Sequence, residues 1–458
     1  MIKFFTVLII TLSLSLSADA SEDLLQAVYK EDFKEFQSIL QKNIDVNYTN
    51  LYGVNGLSLA AENGHFEIFQ MLVKKGADFK KNVNGEPLLI TASRSGSLEI
   101  VEWLLKNGVK PNVKCSRKYT PLLWASNEGH VEICRALIKA GADMKVSLKS
   151  GMTPIFLAAR NGHLETVNLL IESGCNIKET IDKRRGGGRA PDAGTTPLRL
   201  AVLNGHFEVA VRLLEAGADA NEKLTGFSLL HSLVWVRRAN RGDNLEGHPS
   251  PAVSGKISSL EFVELLVKKF KADVNIKLPG NSERRYRLER KGATPFLFAL
   301  HTGDIEYARL LHKLGADDKL KTDDGISAIL AASGVGCKFP AEEPGNAKEA
   351  KVLIEWLLDL GHDINDQNKQ KQTVLHGAAY RHYSELVPFL VGKGAAVAKW
   401  NHKDSFGHDP LMIAKGYRRG PFRPDDKTRD AIIKELVKAG VKVEDKTAQV
   451  DKKKGYEP

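Results

Sequence analysis

Apolar and polar residues follow a repeated order along this chain. Short apolar segments with helical spacing occur in pairs, and a glycine follows each segment within a few positions. The pairs recur about every 33 residues through much of the chain, a period typical of stacked structural repeats. The sequence therefore predicts helix pairs that bury their apolar faces against neighbouring pairs.

Four segments show the first helix of a pair most clearly. Each begins with Thr-Pro, continues with apolar and small residues, and ends at a glycine followed by a polar residue: Thr120–His130, Thr153–His163, Thr196–His206 and Thr294–Asp304. A threonine hydroxyl can cap a helix, and proline fits the first helical turn. Glycine ends a helix well because it adopts the left-handed backbone conformation without strain.

The Thr-Pro-Leu, Gly-His and Gly-Ala-Asp motifs resemble those of the ankyrin repeat, and the resemblance covers nearly all of the chain after residue 20. It implies an all-α solenoid of about eleven helix–turn–helix repeats. Hairpin loops would project from one edge of that stack. We expect regular repeats over residues 21–235, irregular repeats over residues 236–443 and a charged, disordered tail over residues 444–458.

The first twenty residues form a separate segment. A lysine near the start, an apolar run and a small-residue Ala-Asp-Ala end are typical of a cleavable signal peptide over residues 1–20. The apolar run is shorter than the roughly 20 residues that span a bilayer, although an uncleaved anchor remains the alternative. The sequence thus predicts an exported chain, periplasmic or secreted, that does not span a membrane after cleavage.

Loop insertions interrupt the second half of the repeat array. Residues 181–194 and 276–292 lengthen hairpins between repeats, while residues 237–258, 334–346 and 418–427 lengthen turns within repeats. The two hairpin insertions are basic and carry the candidate anion-binding residues Arg184, Arg185, Arg189, Arg284, Arg285 and Arg287. The alternative is a solvated loop that its charge keeps soluble.

The resemblance also implies where a protein partner binds. Ankyrin-type repeats meet partners at the hairpin tips and at the exposed side of the first helices. In the regular half, these positions hold Tyr52, Val54, Glu62, Glu86, Arg94, Arg117, Tyr119, Glu128, Lys149, Met152 and Arg160. Tyrosine, arginine and methionine are enriched in protein interfaces, and ordinary surface variation is the competing explanation.

Trp124 and the histidines of the Gly-His motifs are expected to have structural roles. Trp124 falls at a helical position that packs inward, so we expect it in the core. The histidines of the Gly-His motifs recur one repeat apart, too far for one metal ion to bind two of them. We therefore predict that they form hydrogen bonds at helix ends, and we expect no metal site.

The four cysteines and the charge add little to this picture. Because no cysteine pair has metal-binding spacing, we expect free and mostly buried thiols, with a disulfide as the alternative. The net charge of +10 favours acidic partners or surfaces. Nucleic acid is not the expected partner of an exported chain.

No catalytic motif accompanies the repeats. The sequence lacks a nucleophile elbow, a His-Glu-x-x-His zinc motif and a dinucleotide fingerprint. We therefore expect a monomeric, non-catalytic scaffold without a cofactor, which mediates protein–protein interaction. One alternative is an anion or envelope-surface binder acting through the basic hairpin insertions. A lesser alternative is a secreted effector that targets host proteins.

Overall fold

The computed structural model describes residues 20–42, 44–82, 84–181, 193–222, 227–238, 254–279, 291–337, 344–417 and 424–443. Helices and turns make up these ranges, and no β-strand occurs in them. The described residues form two compact units. Residues 20–219 and 254–258 belong to the first, and the others belong to the second.

The first unit contains six helix pairs. In chain order its helices are α1 (Ala20–Lys30), α2 (Phe33–Leu40), α3 (Gly56–Asn63), α4 (Phe66–Lys74), α5 (Leu88–Ser95), α6 (Leu98–Lys106), α7 (Pro121–Glu128), α8 (Val131–Lys139), α9 (Pro154–Asn161), α10 (Leu164–Glu172), α11 (Pro197–Leu203) and α12 (Phe207–Glu215). Each first helix packs against the first helices of the neighbouring pairs, from α3 through α11. The second helices pack similarly, which produces a stack.

The helix-end signals of the sequence are confirmed at α7. The Thr120 hydroxyl accepts the backbone N–H of Leu123 at 3.3 Å and caps α7, whose first residue is Pro121. Gly129 ends the same helix with φ of 81°, in the left-handed conformation. Thr153 differs, because its hydroxyl donates to the half-buried Glu179 carboxylate instead of capping α9.

The core of the first unit lies between the two layers of helices. Five second helices, α4, α6, α8, α10 and α12, each contribute a fully buried leucine at the same position of the repeat, namely Leu72, Leu104, Leu137, Leu170 and Leu213. In α2 this position holds Ile39, which is also buried. Cys134 lies in this layer, and burial raises the pKa of its thiol to about 12. None of the four cysteines forms a disulfide in the structure; Cys134 and Cys337 are buried, and Cys115 and Cys175 are half-buried.

The Gly-His motifs join successive repeats. The Nε2 atoms of His130, His163 and His206 lie 3.1, 2.9 and 3.0 Å from backbone carbonyl oxygens and donate hydrogen bonds to them. These carbonyls belong to the first helix of the preceding repeat. The predicted role of the histidines in helix-end hydrogen bonds is therefore confirmed, and the bonds link neighbouring repeats.

The second unit contains five helix pairs and one additional short helix. Its helices are α13 (Leu229–Arg237), α14 (Ser259–Lys268), α15 (Pro295–His301), α16 (Ile305–Lys313), α17 (Ala328–Ser333), α18 (Ala347–Asp359), α19 (Val374–Arg381), α20 (Leu386–Gly392), α21 (Val397–Trp400), α22 (Pro410–Ala414) and α23 (Asp426–Lys438). The short helix α21 carries Trp400, which is 1% exposed. Across the described residues there are eleven pairs, so the predicted number of repeats is confirmed.

A buried ion pair replaces the histidine bond at one repeat boundary of the second unit. Asp304 occupies the position of the motif histidine, and its carboxylate accepts two hydrogen bonds from Arg237, at 2.7 and 2.9 Å. Burial by itself lowers the pKa of Arg237, but its hydrogen bonds and charge interactions with Asp304 and Glu306 raise it above its ordinary value. The guanidinium stays charged and joins α13 to the start of α16.

The predicted insertions fall where the sequence placed them, although their ends differ slightly. Backbone hydrogen bonds between Ile181 and Thr195, and between Leu278 and Ala293, close the bases of the two basic hairpins. The last insertion ends before residue 426, where α23 begins. All six anion-binding candidates lie outside the described residues, as do residues 1–19 of the predicted signal and the whole predicted tail.

The compact units divide at residues 219 and 220. The division proposed from the sequence, at residues 235 and 236, marks where the repeat becomes irregular and stays a prediction. Among the described residues, no helix combines the length and the apolar composition that crossing a membrane requires.

Candidate partner-binding surface

Three first helices of the first unit present one residue each in a column. Arg94 on α5, Asn127 on α7 and Arg160 on α9 each stand two residues before the glycine that ends their helix. All three side chains are half-buried. Their backbone carbonyls accept the interrepeat hydrogen bonds from His130, His163 and His206, so the backbone beneath the column is fixed.

Arg94 is held by the preceding hairpin. Its guanidinium lies 2.6 Å from a carboxylate oxygen of Glu86, which also accepts the hydroxyl of Thr91 at 3.0 Å. The guanidinium and carboxylate side chains are 23% and 26% exposed. Because the pair is partly buried, it contributes more stabilisation than a fully exposed ion pair does. The contact with Glu86 also orients Arg94 toward the next repeat.

An aromatic pair lies beside Arg94. The rings of Tyr119 and Trp124 are stacked, with centroids 4.6 Å apart and an interplanar angle of 25°. The Arg94 guanidinium lies 5.4 Å from the Trp124 ring centre, within cation–π range. The indole Nε1 is enclosed and makes no hydrogen bond to the described residues.

The predicted core position of Trp124 is wrong. The equivalent position is occupied by Leu157 and Leu200, which are buried, but Trp124 is only partly buried. A leucine fits between adjacent first helices, whereas the larger indole extends toward the hairpin and packs on Tyr119. Trp124 is thus a surface residue that sequence reasoning missed.

Arg160 lies on α9, the first helix of the repeat that follows Trp124. Its guanidinium donates to the side-chain oxygens of Asn127 at 3.0 Å and Asn161 at 3.3 Å. Burial lowers the pKa of Arg160, while interaction with the Tyr119 hydroxyl opposes that shift. The Met152 sulfur lies 3.8 Å from the guanidinium.

Met152 differs from the other predicted partner-binding residues. Its side chain is 8% exposed because the Arg160 guanidinium lies against it. The expectation of an exposed Met152 is therefore corrected: the residue supports Arg160 from beneath the surface. The expectation rests on its position before Thr153, because the same position of the preceding repeat holds the half-buried Tyr119.

We call this group the Trp124 surface, defined by Glu86, Arg94, Tyr119, Trp124, Asn127 and Arg160. It extends over three repeats and combines two guanidiniums, one carboxylate and an aromatic pair. Four of these residues were predicted from the sequence. Trp124 and Asn127 were not, although Asn127 shares the helix position of Arg94 and Arg160, a signal that would have identified it.

The remaining predicted residues lie around this group or further along the first unit. Glu128, Arg117 and Lys149 are exposed on α7 and on the two hairpins next to the surface. Tyr52 is 47% exposed at the tip of an earlier hairpin, where its neighbour Leu51 is fully exposed. Val54 and Glu62 are half-buried in that same repeat.

The chemistry of the described residues suits recognition. Within these ranges, no group of three or more His, Cys, Asp or Glu side chains could hold a metal ion. The Trp124 surface offers oriented guanidiniums and aromatic edges, which are groups that can bind carboxylates, backbone carbonyls and apolar side chains.

Comparisons with known proteins agree with this architecture. A family model described as ankyrin repeats (3 copies) matches residues 24–115, 107–181 and 346–447, and a second, described as ankyrin repeat, matches residues 193–223. Together these matches cover more than half of the chain.

Similar curated proteins carry the name "Ankyrin repeat, SAM and basic leucine zipper domain-containing protein 1". The one from Eulemur macaco macaco is 32% identical over 111 residues, 23% of this chain and 23% of that protein. The one from Mustela putorius furo is 32% identical over 114 residues, 24% of each chain. The match thus spans about a quarter of the length of these relatives. On the family matches and the repeat geometry together, the chain belongs to the ankyrin-repeat family.

Proposed function

We propose that this chain is an exported, monomeric, non-catalytic scaffold that binds a protein partner through the Trp124 surface. The observation that carries the proposal is the Tyr119–Trp124 stack, which Arg94 approaches within cation–π distance and which Arg160 follows on the next repeat. Tryptophan, tyrosine and arginine dominate the residues that supply most binding energy in protein interfaces. Here they lie together on adjacent repeats.

The surface is also ordered before a partner arrives. Glu86 holds Arg94, and Asn127 and Asn161 hold Arg160, so few side-chain rotations remain to be lost on binding. Each rotamer-rich side chain that a partner must immobilise costs about 0.5–1.5 kcal/mol. Prior ordering therefore favours a tight interface over a loosely attached one.

Export and the lack of catalysis are supported by separate observations. The first twenty residues have the composition of a signal peptide, and the repeats account for nearly all of the remaining sequence. Ankyrin-repeat proteins are generally interaction scaffolds, which favours a non-catalytic chain. Photo-cross-linking in the producing cells distinguishes a periplasmic partner, a secreted partner and a host protein.

A single substitution tests the surface. We expect Trp124→Ala to weaken partner binding by about 2 kcal/mol or more, roughly 30-fold, because hot-spot aromatic residues contribute that much. The measurement is the dissociation constant of the purified chain with the partner recovered by cross-linking. Phe406→Ala is the matched control, since Phe406 is an aromatic residue that is 60% exposed in the second unit.

The control variant should bind within twofold of the unmodified chain. Thermal unfolding of both variants checks that any loss of affinity is not a loss of folding. Unchanged affinity in folded Trp124→Ala would remove the Trp124 surface from the interface.

A further inference from the structure

Three hairpins of the first unit carry a row of exposed positive charges. The hairpins are residues 79–86, 113–119 and 144–152, and the cations on them are Lys80, Lys81, Lys114, Arg117, Lys118, Lys145 and Lys149. We call these seven residues the basic hairpin edge. Lys178 on the following hairpin is also exposed and continues the row.

The seven positive charges are not neutralised by ion pairs. Among the described residues, no carboxylate forms a salt bridge with any of the seven side chains. The hairpins 113–119 and 144–152 contain five of the cations and no Asp or Glu. The nearby Asp143 carboxylate accepts a hydrogen bond from the backbone N–H of Lys145, at 2.8 Å, and so stabilises the turn.

The basic hairpin edge is continuous with the Trp124 surface. Backbone hydrogen bonds from Cys115 to Tyr119 and from Leu148 to Met152 close two of the hairpins. Their last residues lie at the Trp124 surface, where Tyr119 stacks on Trp124 and Met152 lies against Arg160. A molecule bound to the aromatic pair therefore extends readily over the charged tips.

We propose that the basic hairpin edge binds an extended acidic segment of the protein partner; this inference rests on the proposed function. Packed helices are about 8–10 Å apart, so successive hairpins are separated by about that distance. An extended chain advances about 3.3 Å per residue, and every third residue then reaches a new hairpin. A segment of about ten residues, with Asp or Glu at every third position, matches the row.

A protein segment fits this edge better than a nucleic acid does. Single-stranded nucleic acids gain affinity by stacking bases on open aromatic faces. Here Tyr119 covers one face of Trp124, and the Arg94 guanidinium lies within cation–π distance of the same ring.

A membrane surface also fits less well. Peripheral attachment is strengthened by apolar side chains that insert between lipids, in addition to basic residues. The described residues of the three hairpins expose no large apolar side chain. Charge alone supplies the attraction at this edge, and an acidic polypeptide satisfies it without insertion.

The test uses the full chain and a fluorescent decapeptide that has Glu at every third position and Ser between. Three charges are reversed in K114E/R117E/K149E, which lies entirely on the basic hairpin edge. The matched control is K75E/K106E/K139E, because these exposed lysines lie at the ends of second helices and the net charge change is the same. Fluorescence anisotropy gives the dissociation constants at about 50 and 300 mM salt, a range over which screening of exposed charges increases strongly.

We expect the unmodified chain to bind the peptide, the hairpin variant to bind at least tenfold more weakly, and the control to stay within threefold. Higher salt should weaken binding of the unmodified chain. The inference is overturned if the peptide does not bind, if both variants behave alike, or if a ten-residue oligothymidylate or vesicles of phosphatidylcholine and phosphatidylglycerol bind more tightly than the peptide.

Failure of this inference is separable from failure of the proposed function. If Trp124→Ala weakens binding of the natural partner while K114E/R117E/K149E leaves that binding unchanged, the Trp124 surface stands and the acidic segment does not. If neither variant affects the natural partner, both proposals fail.

Discussion

Asp304→Ala is expected to lower the free energy of unfolding by about 3–5 kcal/mol, the usual consequence of removing one partner from a buried ion pair. The Asp304 and Arg237 side chains are 4% and 13% exposed. Without the carboxylate, the Arg237 guanidinium would remain buried beside the aromatic ring of Tyr307, 5.7 Å away, and lose its main counter-charge. The cost comes from that uncompensated charge.

Asp304 has a second structural task. Its carboxylate accepts the backbone N–H of Tyr307, at 3.1 Å, and so caps α16. Loss of a cap costs about 1 kcal/mol. Tyr307 is fully buried and donates its hydroxyl to the Leu230 carbonyl at 2.7 Å, so a disturbed helix start also strains this interrepeat bond.

Glu306→Ala is the matched control for this prediction. Glu306 also contacts Arg237, at 3.4 Å, but its side chain is 77% exposed. Exposed ion pairs contribute about 0–1 kcal/mol, so this variant should unfold almost as the unmodified chain does. Urea unfolding of both variants provides the comparison. Equal losses in the two variants, or a loss below about 1 kcal/mol in Asp304→Ala, would contradict the importance assigned to burial.

Gly129→Ala is expected to cost about 3 kcal/mol, against about 1 kcal/mol for Gly141→Ala. Both glycines have left-handed backbone, with φ of 81° and 87°. The strain of placing a Cβ there is therefore the same in the two variants. They differ in what the new methyl group meets.

The difference between the two unfolding costs measures how much a histidine hydrogen bond between repeats contributes to stability. A Cβ at Gly129 would lie 2.4 Å from Nδ1 of His163, whereas a Cβ at Gly141 meets nothing within 4 Å. The His163 ring must move away and lose its 2.9 Å bond to the Asn127 carbonyl. Thermal or urea unfolding measures both costs. Equal costs for the two variants would show that the His163 ring adapts freely and that its bond adds little to the stack.

Local signals explain why so much of the repeat could be predicted from the sequence. The cap at Thr120, the helix end at Gly129 and the motif histidine His130 each depend on residues close in sequence. Their periodic recurrence predicts stacking, because each helix pair needs a neighbour to cover its apolar face.

Contacts between residues far apart in sequence, and the packing of individual side chains, could not be predicted. Arg237 and Asp304 are 67 residues apart, and nothing near either one indicates the other as its partner. Trp124 was assigned to the core because its position is apolar in adjacent repeats. Its exposure depends on ring size and on the presence of Tyr119 in the hairpin, a packing detail that periodicity does not contain.

For the candidate site, the sequence predicts which positions face outward but not the contacts that fix their side chains. Position within the repeat identified Arg94, Arg160 and Tyr119, since those positions face outward in the stack. The contacts that give these residues a fixed geometry, such as the 2.6 Å pair of Arg94 with Glu86, depend on particular side chains. The burial of Met152 beneath Arg160 depends likewise on the length of the arginine.

Site-specific photo-cross-linking tests the central claim, partner binding at the Trp124 surface, most directly. The photoreactive residue benzoylphenylalanine replaces Tyr119 in one variant and Arg135, an exposed residue of α8, in the other. Both are irradiated in the cells that produce the chain, and exported and retained fractions are examined. Partner binding at the Trp124 surface predicts one discrete protein adduct from position 119 in the exported fraction and none from position 135. Adducts from position 135 alone, or the same adducts from both positions, would contradict it.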